Sequence, residues 1–85
     1  MGRQTRVDLQ CDLHGLTRDE ALVELRRMLS NIRRRGGGRL RVIHGCGEVL
    51  SEMVYMHVSK DPTVSIAPEG SNAGSSILQV DCRRM

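Results

Sequence analysis

The stretch "RVDLQCDLHGLTRDEAL", residues 6–22, changes its periodicity once, and that change decides the fold. Over residues 6–14 the pattern has period two: Val7, Leu9, Cys11 and Leu13 alternate with Asp8, Gln10, Asp12 and His14. This is the signature of a strand with one buried face. Gly15 then interrupts it, and Thr17 is followed three residues later by Glu20, a capping box in which each side chain satisfies a backbone N–H at a helix start. Ala21, Leu22, Leu25, Met28, Leu29 and Ile32 recur at helical spacing. Arg33, Arg34 and Arg35 fall in the last turn, where positive charge suits the helix dipole, and Gly36, Gly37 and Gly38 end it.

The same alternation of patterns continues downstream. "RLRVIH", residues 39–44, reads as a strand with Leu40 and Val42 on one face and Arg39 and Arg41 on the other. "EVLSEMVYMHVSK" follows as a second helix with apolar positions Val49, Leu50, Met53, Val54 and Val58, broken by Asp61-Pro62. "TVSIA" and "SILQVDC" are short strands around the turn-rich "PEGSNAGS". The order is β-α-β-α-β-β. Helical crossovers make the first three strands parallel. Strands covered on both faces would be apolar throughout; these alternate. The expected fold is therefore α/β: a two-layer sandwich, with a mixed four-stranded sheet and both helices on one face. Residues 1–85 are expected to form a single domain with an ordered core over about 6–82.

Composition narrows the function. A domain of 85 residues without Phe or Trp must build its core from Leu, Val, Ile, Met and Ala, with Tyr55 the sole aromatic residue. The net charge is +3, and twelve of the 13 Lys and Arg residues are Arg. Between Arg26 and Arg41 there are seven arginines and no acid. Such a run is the electrostatic footprint of a nucleic-acid binder, and equally that of a solvated helix face. Cys11, Cys46 and Cys82 lack C-x-x-C spacing and are an odd count, which disfavours a disulfide framework or zinc knuckle and fits a reducing, intracellular setting. No apolar run has membrane-spanning length.

The topology directs the search for a site. Ligands of such sheets bind beside the C-terminal ends of the parallel strands. Three glycine-bearing loops meet there, at residues 12–15, 44–47 and 70–75. Asp12 and His14, two apart at a strand end, are expected to share the open face, with the carboxylate orienting the imidazole for acid/base work near neutral pH. An exposed polar strand face explains the same pair. His44-Gly45-Cys46-Gly47 leads into a helix, so its glycines allow close approach of a ligand and the first-turn N–H groups attract anions. Glu48 is placed to fill that anion site itself. Arg39 and Arg41 would grip phosphate or pair with Asp8 and Asp81 across the sheet. A zinc site from Cys11, Asp12, His14, His44 and Cys46 would need side chains from opposite faces of one strand.

Together, "CDLHGLTRDEAL" and "LRVIHGCG" resemble the L-D-x-H-G and (T/H)-G-x-G motifs of Smr (small MutS-related) domains, and "VSIAPEGSNAGSSILQV" is similar to their closing segment. The resemblance spans roughly residues 7–82. Cys11 stands where Leu is usual, Gly70-Ser71 replaces paired glycines, and "MHVSK" lacks an aromatic residue often seen there. The resemblance implies a fold like the C-terminal domain of translation initiation factor three. It also implies nucleic-acid binding and, in many members, endonuclease activity: some nick branched DNA and others cleave messenger RNA on stalled ribosomes. Carried over, Asp12, His14 and His44 are the catalytic candidates, while Gly45, Gly47, Gly74, Arg39 and Arg41 would bind phosphate. The expected agent is a monomer acting on structured DNA or RNA, with or without a divalent cation (Mg or Mn). Its expected setting is the ribosome or a larger multidomain protein, with no membrane partner. The alternative is a non-catalytic nucleic-acid-binding module.

Overall fold

A computed structural model describes residues 7–68 and 71–81. Six elements follow in the expected order: β1 (Leu9–Asp12), α1 (Arg18–Arg34), β2 (Gly37–Ile43), α2 (Glu48–Ser59), β3 (Val64–Ala67) and β4 (Ser75–Asp81). They form a mixed four-stranded sheet of order β1-β2-β4-β3, with β1 parallel to β2 and β4 antiparallel to both neighbours. β1, β2 and β3 thus run the same way, and the last strand in the chain is inserted between the second and third.

Local chemistry explains the elements. Thr17 caps α1 as anticipated: its hydroxyl accepts the Glu20 N–H at 3.2 Å, and the Glu20 carboxylate accepts the Thr17 N–H at 3.0 Å. The helix ends at Arg34, and Gly36, with φ +100°, reverses the chain. Gly37 and Gly38 already belong to β2, paired with Asp81 and Val80, so the second strand starts two residues before Arg39. β1 is shorter than the alternation suggested. It stops at Asp12, because Leu13 to Leu16 close a turn through the Leu16 N–H and the Leu13 carbonyl at 3.1 Å. The expected strand positions Arg6 and Cys82 lie outside the described residues.

Register separates the two faces of the sheet. Leu9, Cys11, Leu40, Val42, Val64, Leu78 and Val80 occupy one parity, and they pack against Ala21, Leu25, Leu29 and Ile32 of α1 and Met53 and Val54 of α2. Gln10, Asp12, Arg39, Arg41, Gln79 and Ser65 occupy the other. Val49 was expected among the inward residues of α2 but is 61% exposed, because the helix turns its Leu50, Met53 and Val54 side to the core. Arg33 and Asp61, joined by an ion pair, tie the end of α1 to the segment after α2.

Candidate active site

The three loops do converge at the C-terminal edge of the parallel strands. Beyond β1, the Leu13 N–H still donates to the Ile43 carbonyl at 2.8 Å, which holds the first loop against the second. The Gly74 carbonyl of the third loop accepts from both the His44 and Gly45 N–H groups, at 3.1 and 2.9 Å. Asn72 secures that carbonyl's neighbourhood: its Oδ1 accepts the N–H groups of Gly74 at 2.8 Å and Ser75 at 2.9 Å. The chain of contacts runs from one loop to the next without a gap.

His14 sits at the first corner of the Leu13–Leu16 turn and is exposed. Gly15, at φ +87°, supplies the left-handed second corner that a side chain would strain. The expectation that Asp12 and His14 share a strand face therefore fails: His14 lies past the strand. Asp12 does not face the imidazole as an orienting partner; its Oδ1 accepts the His14 backbone N–H at 3.0 Å and so braces the turn. The His14 ring lies beside Gly45, where its Cδ2 is 3.7 Å from the place a Cβ would occupy.

His44 has a different environment. It continues the inward parity of Leu40 and Val42 and is only 5% exposed. Its Nδ1 lies 2.7 Å from the Gly45 carbonyl and its Nε2 lies 3.0 Å from the Ser76 hydroxyl. A carbonyl can only accept, so Nδ1 carries the proton, and with the proton there the singly protonated tautomer accepts from Ser76 through Nε2. Both nitrogens are spent inside the protein. The ring braces the loop from below, and no ring nitrogen is left to meet a substrate.

Backbone donors are redistributed accordingly. The Gly45 N–H, expected to face a phosphate, is held by Gly74. The open donors belong to α2, whose N-cap Gly47 makes no side-chain capping hydrogen bond. Glu48 is exposed and does not fold back as a cap, so it leaves the first turn of α2 open. Cys46 is exposed, with Sγ 3.8 Å from a Cβ position at Gly74.

The arginines divide. Arg41 Nη1 donates to the Ser75 hydroxyl at 3.3 Å, so its guanidinium reaches toward the loop edge. Arg39 is two residues further from that edge and donates through Nε to Gln79 Oε1 at 3.0 Å. Neither side chain pairs with Asp8 or Asp81; Asp8 instead accepts the Arg39 backbone N–H at 2.9 Å. Among the described residues no group of three His, Cys, Asp or Glu side chains is arranged to hold a metal ion. Among the described residues Asp12 and Glu48 are the acids at this edge, and they do not make a protein-built cage.

Two contributors were missed from the sequence, Ser76 and Asn72. Ser76 shares the inward parity of Leu78 and Val80, and a hydroxyl at such a position signals a buried partner. Asn72 two residues before a glycine is a turn-forming arrangement.

The Smr domain family profile matches residues 11–80. Among solved structures, the crystal structure of the Smr domain of Thermus thermophilus MutS2 is similar, with a TM-score of 0.75 and 31% identity, covering 86% of this chain and 98% of that one. No curated protein matches. Both motifs, the sheet order and the loop edge thus belong together, and the chain is a member of the Smr domain family, known for nucleic-acid binding and nicking endonuclease activity.

Proposed function

We propose that this domain binds structured nucleic acid across its loop edge and breaks a phosphodiester bond there, with His14 as general acid/base. The observation that carries the reading is the placement of His14. It is an exposed imidazole on a braced turn, beside Gly45 and at the same edge as the uncapped start of α2 and the Arg41 guanidinium. A phosphate at that edge meets N–H donors of the α2 first turn and the positive end of the helix. Arg41 neutralises charge that develops on the phosphoryl oxygens. Arg39, further along the open face, contacts the backbone of the bound strand away from the reacting bond.

The other family positions take supporting roles. Asp12 holds the turn that presents His14. His44, through Gly45, sets the wall against which the His14 ring rests. Gly74 fixes the second loop by accepting two N–H groups. Gly47 keeps the start of α2 free of a side chain. The nucleophile is water, or the neighbouring 2′-hydroxyl when the substrate is RNA. A divalent cation, where used, would be held mainly by phosphates and water, as Mg is in many phosphoryl-transfer sites.

A second reading, binding without cleavage, draws on the burial of His44, which leaves His14 as the one exposed imidazole among the described residues of the loop edge. Single-turnover cleavage of labelled branched DNA and structured RNA, with and without chelator, separates the two. Under the leading reading His14→Ala lowers the rate by about 10²- to 10⁴-fold, the usual worth of a general acid/base, with binding retained. Unchanged cleavage by the purified, folded variant defeats the mechanism. Steeply salt-dependent binding with no turnover under any metal condition establishes the second reading.

A further inference from the structure

On the helical side, away from the open sheet face, the flanks of α1 and α2 enclose a groove of about 400 Å³. Its floor is Leu22, Met53 and Met56, and its rim carries Arg18, Arg26 and Lys60. Met53 is nearly buried, whereas Met56 is 51% exposed. Asp61 also lines the groove but is committed to Arg33. Among the described residues Arg18, Arg26 and Lys60 make no ion pair or side-chain hydrogen bond. Arg26 and Lys60 act on His57, whose pKa is held below its ordinary value, first by burial and then by Arg26, with Arg33 and Lys60 adding to the effect and Asp61 opposing it.

We infer that this groove is a docking site for an acidic, amphipathic peptide segment of a partner protein. Phosphodiester backbones gain nothing from a floor of thioethers and a leucine, whereas an apolar peptide side chain does. Methionine adapts its shape to such an anchor and is enriched, with arginine, where proteins meet. The unpaired rim cations match carboxylates flanking the anchor, and the groove lies within the size range of ligand sites, about 300–1,000 Å³. An amphipathic helix would lay its apolar positions along the groove in the manner of helix-in-groove recognition. The loop edge stays free for nucleic acid, so partner and substrate bind at once.

The test uses a short synthetic helix-forming peptide with leucines at i and i+4 flanked by glutamates, titrated into the methyl-labelled domain. A scrambled peptide of the same composition and a single-stranded oligonucleotide serve as controls. The expected result is saturable shifts of the Leu22, Met53 and Met56 methyls. In Arg26→Glu/Lys60→Glu, affinity should fall by about tenfold or more, since each exposed ion pair contributes up to about fivefold and reversal adds repulsion. Met56→Asp, at an exposed position, should weaken binding while leaving the fold intact by circular dichroism. Equal affinity for the scrambled peptide overturns the inference. So do shifts confined to the His14 and Gly45 loops, or groove methyls that respond to the oligonucleotide and not to the peptide.

Discussion

Replacing Ser76 with alanine tests whether the loop edge is held from beneath. Ser76 is 3% exposed and His44 is 5% exposed, and their hydrogen bond is 3.0 Å long. Among the described residues no buried side-chain nitrogen or oxygen lacks a partner, so the variant would strand His44 Nε2 in a fully satisfied interior. An orphaned buried acceptor costs ~1–3 kcal/mol. A domain of 85 residues has roughly 4–13 kcal/mol in total, at about 0.05–0.15 per residue. A loss near 2 kcal/mol should lower Tm by about 8–16 °C at this size. Calorimetry and urea unfolding measure it. The double variant His44→Leu/Ser76→Ala should cost less than the sum of the single changes, by about 0.5–3 kcal/mol, because the two groups form one polar unit. Imidazole nitrogen NMR of the wild type should show His44 protonated at Nδ1. Additive single-variant costs, or a ring protonated at Nε2 alone, would refute the reasoning.

Cys46 and Cys11 should differ sharply toward a thiol reagent in a Cys82→Ser background. Cys46 is exposed, whereas the Cys11 thiol is pushed up to about 11, by burial first and then by the Glu24 and Asp12 carboxylates. Cys46 should label rapidly and Cys11 only at the rate of unfolding, so equal rates would count against the placement of both. Thr17→Ala should destabilise by ~1 kcal/mol through loss of the cap, with a change under about 0.3 kcal/mol telling against it. At Asp61, burial pushes the carboxyl up, but the Thr63 hydroxyl and N–H and the Arg33 guanidinium outweigh it and hold the pKa below the usual value. Its contribution is therefore present above the ordinary carboxylate range and lost as pH falls through the lower folded value. Unfolding followed from about pH 6 to pH 2 should show a smaller acid loss for Asp61→Asn than for wild type, and parallel curves would reject this.

Much of the architecture was legible because it depends on short-range periodicity. The capping box at Thr17 and Glu20, the alternation through Leu40 and Val42, and the break at Asp61-Pro62 each need only neighbouring residues. The meeting of the three loops followed from the direction of the parallel strands. What escaped was long-range or one residue off. The end of β1 at Asp12 depends on a turn bond from Leu16, which moves His14 off the strand face. The burial of His44 follows from the same parity that turns Arg39 and Arg41 outward, yet a histidine beside glycine draws attention as chemistry rather than as core. The capture of the Gly45 N–H by Gly74 joins residues twenty-nine apart in the chain, and no local pattern announces it.

The late position of β4 in the chain has a consequence for timing. This strand lies between β2 and β3, and with the loop before it brings Gly74, Ser75 and Ser76, on which the second loop, Arg41 and His44 depend. During synthesis, therefore, the motif residues exist before the contacts that bring their loops together can form. A nascent chain lacking residues 74–81 has His14 and His44 but no sheet centre and no brace. Completion of the sheet centre and assembly of the loop edge are therefore one event.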